Sequence, residues 1–544
     1  MTWSTIAETS VMRLSPDKRK GMRTEFDYVV VGAGSAGCVL ANRLSEDPTT
    51  TVALLESGGS DRKFEIKMPL GYPKLFKTEY DWNFTTGKQV GLHDRQLYWP
   101  RGRVLGGSSS LNGQIWMRGY RTDYDDWNVP GWSYDEVLPY FQRAEQRLDG
   151  SRDGTYGATG PIYISDLRSP NPTTEAFLQA CAELGWTRLE EIDGPDRDGF
   201  APAAVTQRRG RRWSSADAYL RPALRRRNLT VLTNVSVTRV LVEGGRAVGV
   251  EYGDAHRVAV RKEIILCAGA IGSPQLLMFS GIGDPEDLNA GGIEVLHRLP
   301  GVGKNLQDHL ASCVVVHCPL PVTLVAARSI HQLARFFLTR TGMLTSNLGE
   351  AMAFVRTGPD EPAPDVELLF APAPFIDDGQ TPPPGHGLTI GATVLRPESR
   401  GRIMLNGPEL IIDPCYLSTE TDVWRQVGAL RLAIRVAATD ALKSYVGKPM
   451  EPYRVADTDE ELAEWIREHS QSAYHPVGTC KMGQEDYAVV DSSLRVRGVQ
   501  GLRVADASVM PNIIRGHTHA PTVMIAEKAA DLIKMGGRPR RPQC

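Results

Sequence analysis

The stretch FDYVVVGAGSAGCVLANRLSEDPTTTVALLE, residues 26–56, has the pattern of a complete βαβ unit. FDYVVV is a short run rich in β-branched residues, which is typical of a buried parallel strand. CVLANRLSED then spaces its apolar side chains as a helix does, and TVALLE predicts a second strand that ends at Glu56. A strand, a helix and a second strand in this order predict an α/β fold.

Three glycines lie between the first strand and the helix, in the pattern Gly32-x-Gly34-x-x-Gly37. The first allows a tight turn, the second admits a pyrophosphate close to the backbone, and the third lets helix and strand pack closely. Glu56 follows at the distance of the acid that binds the adenosine ribose hydroxyls and disfavours a 2′-phosphate. The unit therefore predicts a dinucleotide site at the helix amino terminus. FAD and NAD stay open because they share the ADP half, and an ordinary glycine-rich turn is the alternative.

The composition is that of a folded protein with more than one domain. The chain has 544 residues, of which 41% are hydrophobic and 23% charged, so disordered and fibrous classes are excluded. Its length favours two intertwined domains. Lys and Arg number 62 against 64 Asp and Glu, and this balance lacks the basic excess of nucleic-acid-binding proteins. We expect no nucleic-acid partner.

No apolar run of 18 residues occurs, and the first 25 residues lack the apolar region of a signal peptide, so we expect no transmembrane segment. The eight cysteines include no Cys-x-x-Cys pair and are interpreted as free thiols of a reducing compartment. These features predict a cytoplasmic protein. Residues 1–21 and 538–544 are predicted to be flexible tails, and the role of residues 1–21 is open.

A second glycine and serine run, GRVLGGSSSLNG, covers residues 102–113. A nicotinamide-binding unit does not require it. A loop rich in backbone N–H groups and hydroxyls can line both the pyrophosphate and the ring system of a flavin. A surface linker is the alternative interpretation.

Residues 102–125, with GRVLGGSSSLN followed by Trp116, Gly119 and Asp125, and residues 269–283, GAIGSPQLLMFSGIG, form two long gapped patterns. On these patterns the chain resembles the glucose-methanol-choline (GMC) oxidoreductases, a family of FAD-dependent alcohol oxidases and dehydrogenases, and in particular its branch of choline dehydrogenase-like proteins and alcohol dehydrogenases. GVGKNLQDH and GLRVADASVMP are similar to two more blocks of the family. The resemblance extends over about residues 26–535.

The resemblance implies a Rossmann-type FAD-binding domain, discontinuous in sequence, and an α+β substrate-binding domain whose sheet covers the flavin. The FAD-binding domain would occupy mainly residues 26–310, with substrate-domain insertions at about 61–91 and 150–225. Residues 311–480 would form most of the substrate-binding domain. Residues 485–537 would return to the FAD-binding domain and carry the catalytic histidines.

The resemblance also implies which residues contact FAD. They comprise the first glycine motif and its acid, the second glycine run, and single positions further along the chain. The set is Gly32, Gly34, Ser35, Ala36, Gly37, Glu56, Ser57, Arg103, Gly106, Gly107, Ser108, Asn112, Gly113, Gln114, Ile115, Val237, Ala268, Asp506, Ala507 and Thr522. Some relatives tether FAD through a histidine where this chain has Leu111, so non-covalent FAD is expected.

Two histidines stand at the catalytic positions of the family, His475 in SAYHPVGTCKMG and His519 in RGHTHAPTVMI. A histidine with a pKa near neutrality can accept the hydroxyl proton of an alcohol, and this role is expected of His475. His519 would hold the same oxygen. The role of His517 is open, while His309 and the other seven histidines are interpreted as structural. No acid or cysteine stands at ligand spacing beside His517 and His519, so no metal is expected.

The residues after His519 predict a helix over 520–535, with Pro521 in its first turn. Its positive amino terminus would stabilise anionic reduced FAD. The predicted function is oxidation of a primary alcohol to the aldehyde by hydride transfer to flavin N5. A hydroxynitrile lyase-like enzyme or another non-redox flavoprotein of the same fold is the alternative. Oxygen, a quinone or an electron-transfer partner would be the acceptor, and the sequence leaves the alcohol and the oligomeric state open.

Overall fold

A computed structural model describes residues 23–150, 155–193, 198–358, 361–407, 409–450 and 458–536. The predicted tails, 1–21 and 538–544, lie outside these residues. Within the described ranges, no helix combines the length and the apolar composition needed to cross a membrane. The seven cysteines of these ranges are free thiols, and Cys544 lies outside them.

A seven-stranded sheet forms the first layer of the fold. The predicted βαβ unit is present: strand Glu25–Val31, helix Ser35–Leu44 and strand Val52–Glu56. The two strands pair in parallel, as the buried apolar runs predict. In spatial order the sheet contains Leu229–Thr233, Val52–Glu56, Glu25–Val31, His256–Leu266, Arg246–Tyr252 and Val237–Glu243, and Leu502–Val504 pairs with His256–Leu266. We call it the first sheet.

A six-stranded antiparallel sheet, called the second sheet, faces the first across the cavity described below. Its strands in spatial order are Gln471–Ser472, Leu310–His317, Gly387–Val394, Val366–Ala371, Ala351–Val355 and Gly199–Pro202. A three-stranded sheet of Lys304–Leu306, Gly401–Asn406 and Glu409–Asp413 lies apart from it. The mixed α/β class with a Rossmann-type half and a second, sheet-based half is confirmed.

Twelve α-helices occur in the described part of the chain. They are Ser35–Leu44, Phe64–Lys67, Arg121–Asp125, Tyr134–Ala144, Pro172–Glu183, Arg221–Ala223, Gly269–Phe279, Pro285–Ala290, Ile330–Thr339, Glu420–Ala437, Asp459–His469 and His519–Gly536. Short two-stranded pairs add 84–85 with 98–99, 145–147 with 162–164, 207–208 with 211–212, and 282–283 with 297–298. The last helix begins at His519 itself, one residue before the predicted start, and its inward face is buried in the main apolar core.

The chain enters the first sheet from three separate segments, because its strands come from 25–56, 229–266 and 502–504. Strand Gly199–Pro202, from the segment predicted as an insertion, pairs in the second sheet. The end of that segment instead contacts the βαβ unit, because the Tyr219 carbonyl accepts a 2.6 Å hydrogen bond from Asn42 of helix Ser35–Leu44. The division into domains near residue 225 stays a prediction.

Candidate active site

A cavity of about 650 Å³ lies between the two sheets. One wall contains the carboxyl ends of the parallel strands, represented by Val31 and Glu56. The opposite wall contains side chains of the second sheet, among them Glu367 and Thr393. A crevice at the carboxyl ends of parallel strands is where open α/β sheets bind their ligands.

The first and second glycine runs touch each other at this cavity. Gly107 has a φ of +52°, and a Cβ atom built on it would lie 2.7 Å from the Cα of Gly34. Gly34 directly precedes helix Ser35–Leu44, so the first N–H groups of that helix, which have no partner within the helix, lie next to this contact. Only residues without side chains can form this approach, and they leave backbone donors where a pyrophosphate would lie.

Glu56 ends its strand at the cavity, as predicted. Its two carboxylate oxygens accept hydrogen bonds from the backbone N–H groups of Ala33 and Gly58, both at 2.8 Å. Burial raises the pKa of Glu56 to about 7. Each oxygen keeps a further lone pair that can accept a hydrogen bond from a ribose hydroxyl.

Most of the predicted cofactor residues line this one cavity. Gly32, Gly34, Ser35, Ala36, Glu56, Ser57, Gly107, Ser108, Asn112, Gly113, Gln114, Ile115, Val237, Ala268, Asp506, Ala507 and Thr522 all do so. The lining does not include Gly37, Gly106 or Arg103. A Cβ on Gly37 would lie 1.8 Å from the Gly32 carbonyl oxygen, so Gly37 serves close packing, and Gly106 adopts a φ of +91°. Arg103 instead places its guanidinium 5.3 Å from the ring centroid of Trp82.

Two cavity-lining amides have polar atoms without a hydrogen-bond partner within the described chain, Gln114 Oε1 and Asn347 Oδ1. Buried polar atoms are normally paired, so these two acceptors are suited to a polar ligand. Together with the glycine contact and Glu56, they fit a dinucleotide with a polar ring system. The residues present thus fit FAD.

Three histidines line the cavity: His475, His517 and His519. The ring centroids of His475 and His517 are 4.8 Å apart, at an interplanar angle of 79°. His517 Nε2 lies 2.8 Å from Oε1 of the buried Glu367, which projects from the second sheet. The carboxylate therefore orients His517, whose role the sequence left open.

His309 packs behind His475. Its Nδ1 lies 3.0 Å from Nδ1 of His475, and its Nε2 lies 3.0 Å from the carbonyl oxygen of Leu395. Burial lowers the pKa of His309 to about 4, so its ring is neutral and has one donor and one acceptor nitrogen. A carbonyl only accepts, so Nε2 carries the hydrogen and Nδ1 is the acceptor. The network then assigns the hydrogen of His475 to Nδ1 and leaves its Nε2 as the basic nitrogen.

Asp308 holds the backbone of His475. One carboxylate oxygen accepts a 2.6 Å hydrogen bond from the His475 N–H, and the other accepts from the hydroxyls of Ser472 and Tyr416. Burial raises the pKa of Asp308 to about 6. Asp308 and His309 together fix both the backbone and the ring of His475.

His519 lies at the start of the last helix, with its Nδ1 3.1 Å from the hydroxyl oxygen of Ser35. The indole ring of Trp116 meets its ring edge-on, with centroids 5.6 Å apart. Burial, and to a smaller extent the positive charge of Arg212, lowers the pKa of His519 to about 4. The first glycine motif and the last helix are thus joined through a histidine.

The pKa of His475 is lowered well below its usual 6.5, mainly by burial, and further by His517 and His309 in their protonated forms and by the charge of Arg101. From the sequence, a pKa near neutrality is expected of His475. The structure differs because burial and the neighbouring basic side chains disfavour the protonated form of the ring. A neutral His475 can accept a proton over a wide pH range.

Family models described as GMC oxidoreductase match residues 26–311 and 397–526, and these ranges contain the glycine runs and all three cavity histidines. The chain belongs to the GMC oxidoreductase family. This family is FAD-dependent, and membership supports an oxidoreductase activity on alcohol- or choline-type substrates. The predicted family resemblance is confirmed.

Relatives in the GMC family cover nearly the whole chain. Mitochondrial choline dehydrogenase of Homo sapiens is 44% identical over 94% of this chain and 90% of its own length. Alcohol dehydrogenase [acceptor] of Pseudomonas putida is 38% identical over 93% of this chain and 95% of its own. The crystal structure of pyridoxine 4-oxidase from Mesorbium loti matches with a TM-score of 0.85 at 35% identity, covering 93% of this chain and 98% of that one.

The sequence reasoning missed three residues near the site. His309 was interpreted as structural and Asp308 was not singled out, although both end the block GVGKNLQDH that is similar to a family block. The third is Arg212, a buried cation with Nη1 2.8 Å from Asn112 Oδ1 and no partner for Nη2 in the described residues. Burial lowers its pKa to about 9. No spacing signal marks Arg212, because its neighbours come from distant segments.

Proposed function

We propose that the protein oxidises a primary alcohol to the aldehyde with non-covalently bound FAD. When bound, FAD would accept the hydride at flavin N5. The observation that carries the proposal is the hydrogen-bond network at His475, which leaves Nε2 unprotonated at the cavity. The protein's own task is to bind the cofactor, orient the hydroxyl group and take its proton.

The residues that would hold FAD form a continuous path along the cavity. Glu56 would bind the adenosine ribose, and the contact between Gly34 and Gly107 would hold the pyrophosphate. Gln114 and Asn347 would bind polar atoms of the ring system through their unpaired oxygens. Leu111, at the tethering position of some relatives, is a buried apolar side chain without a nucleophilic atom. Its chemistry supports non-covalent attachment.

His475 Nε2 would accept the hydroxyl proton as the hydride leaves the carbinol carbon. The protonated ring that forms would keep its hydrogen bond from Nδ1–H to His309. Asp308 keeps the histidine in place through the backbone, so the ring does not have to reorganise. Fixed geometry of this kind is the usual source of efficient general base catalysis.

His519 would hold the oxygen atom of the alcohol as it gains negative charge. The Ser35 hydroxyl can donate to His519 Nδ1, which leaves Nε2–H as a donor for that oxygen. A preorganised donor at a developing oxyanion stabilises the transition state without reorganisation. The last helix begins at this residue, so its amino terminus adds positive potential at the same place.

The substrate side of the cavity favours a neutral alcohol with an apolar tail. Its lining includes Tyr72, Phe76, Leu348, Ala371 and Phe375, which belong to one apolar cluster. The acids of the lining are Glu56, Glu367 and Asp506, and each accepts hydrogen bonds from protein groups. The apolar cluster supports a primary aliphatic alcohol as the substrate, because it can bury a hydrocarbon tail.

Anaerobic absorbance of the FAD-loaded protein tests the proposal. Primary alcohols should bleach the flavin band, while choline should do so more slowly. In His475→Ala the bound flavin should stay yellow with every alcohol, and His93→Ala, at a surface histidine paired with Glu464, should behave as wild type. Normal bleaching in His475→Ala would overturn the role of His475, and no bleaching of wild type by any alcohol would favour a non-redox reaction.

Admitting air to the bleached protein distinguishes the acceptors. Rapid return of the yellow colour would identify oxygen, and slow return would favour a quinone or an electron-transfer protein. A cytoplasmic location remains part of the proposal, supported by the free thiols of the described cysteines.

A further inference from the structure

Helix Ile330–Thr339 has an apolar face that is largely exposed, and Phe337 is partly covered there, by stacking on the ring of Phe64 with the two centroids 5.2 Å apart. Its exposed side chains are Ile330 (85%), Leu333 (40%), Phe337 (54%) and Leu338 (84%). They follow the i, i+3, i+7 and i+8 spacing that puts side chains on one side of a helix. Phe336, on the other side, is buried. We call this helix the amphipathic helix.

This concentration of exposed apolar side chains is unusual within the described surface. Thirteen large hydrophobic side chains are exposed there, and four of them belong to this single ten-residue helix. Exposed apolar residues are normally scattered, and a contiguous group marks an interaction surface. The helix is also well formed, since the Ser329 hydroxyl caps it by accepting from the Gln332 N–H.

Positive charge surrounds the apolar face. Arg328, just before the helix, and Arg335, on the helix, are both exposed. Arg340 follows the helix, with its guanidinium 4.8 Å from the ring centroid of Phe336. A neighbouring β-hairpin, residues 207–212, adds three exposed arginines: Arg208, Arg209 and Arg211. The hairpin touches the helix end, because a Cβ on Gly210 would lie 2.5 Å from the Arg340 carbonyl oxygen.

Acidic residues are missing from both segments. The sequence has no Asp or Glu at any position from 309 to 349, and none from 199 to 216. The whole chain, by contrast, is nearly balanced, with a net charge of −2. The apolar helix therefore lies in a locally cationic surface, which complements a negatively charged partner.

We propose that the amphipathic helix docks the protein on the surface of a bilayer that contains anionic phospholipid. Ile330, Leu333, Phe337 and Leu338 would enter the boundary between headgroups and acyl chains. The surrounding arginines would pair with lipid phosphates. An apolar face with a cationic border is the pattern of helices that lie in the membrane interface.

The helix also connects to the substrate side of the cavity. Its buried Phe336 packs with Met68 and Leu344 in a small cluster, and Leu70 and Met343 pack against both this cluster and that of Tyr72. Tyr72 lines the cavity. Docking would place the apolar wall of the cavity close to the bilayer, where apolar alcohols and membrane quinones concentrate.

Co-sedimentation of the FAD-loaded protein with vesicles tests the docking. The vesicles contain phosphatidylcholine alone or a three-to-one mixture with phosphatidylglycerol. We expect the wild-type protein to bind the mixed vesicles and to lose this binding as salt screens the arginines. In I330E/L338E the binding should be weaker by about tenfold or more. V90E/L296E is the matched control, because Val90 (87%) and Leu296 (55%) are exposed elsewhere and the added charge is the same.

The control should bind as wild type, and both double variants should keep the wild-type melting temperature. Failure of wild type to bind the anionic vesicles, or equal weakening in the control, would overturn the proposal. So would a change of oligomeric state in I330E/L338E, measured by analytical ultracentrifugation without vesicles, because the helix would then contact a second copy of the chain. None of these outcomes depends on the proposed reaction.

Discussion

His309 and His475 lie 166 positions apart in the chain, yet their Nδ1 atoms are 3.0 Å apart. Because the Leu395 carbonyl takes the Nε2 hydrogen of His309, this contact determines which nitrogen of His475 is basic. A histidine interpreted from sequence as structural thus acts as a positioning residue for the proposed base.

His309→Ala should lower kcat/KM for a primary alcohol by roughly 10- to 100-fold, as expected when the partner that orients a catalytic histidine is removed. His309→Asn should retain most of the activity, because its side-chain oxygen can accept from His475 Nδ1–H. Steady-state kinetics and the pH profile of both variants check this. Equal losses in the Ala and Asn variants would show that His309 acts only through packing.

The pH dependence should reflect the lowered pKa of His475. The base works in its neutral form, so kcat/KM should be constant at neutral pH and fall as the pH drops through that pKa, below 6.5. His517→Asn removes a ring whose protonated form lowers the pKa of His475, so the variant should move the acidic limb to higher pH. An acidic limb above pH 7 in the wild type, or no movement in the variant, would contradict this electrostatic account.

Gly107→Ala should weaken FAD binding by more than tenfold, since its Cβ would lie 2.7 Å from Gly34 Cα at the pyrophosphate position. Gly244→Ala is the control: its φ of +55° gives similar backbone strain, about 1 kcal/mol, but nothing lies within 4 Å of the added carbon. Flavin fluorescence titration of the apoproteins measures both. Equal affinity in the two variants would mean that the contact between the glycine runs does not hold the cofactor.

Acid precipitation should leave the flavin in the supernatant. Leu111 is buried and has no atom that can bond to the isoalloxazine ring. Absorbance of supernatant and pellet after centrifugation gives the answer directly. A yellow pellet would show covalent attachment through another residue.

Local patterns in the sequence were enough to predict the βαβ unit, the helix over 520–535 and the α/β class. Each depends on side chains close in the chain, such as the glycines from Gly32 to Gly37 and the strand ending at Glu56. Hydrophobic periodicity and turn chemistry act over a few residues, so they can be recognised in a single sequence. The long gapped glycine patterns added the family.

The arrangement of the histidines required the tertiary structure. His309 ends a short stretch between strands, His475 follows a two-residue strand, and Glu367 lies inside another strand of the second sheet. Their contacts form only when antiparallel pairing brings these segments together, and no spacing in the sequence encodes that register. The same holds for the lowered pKa of His475, because burial and neighbouring charge are properties of the assembled cavity. The sequence by itself thus determines that histidines are available for the site. Only the packing of distant segments around His475 determines which of its ring nitrogens is basic.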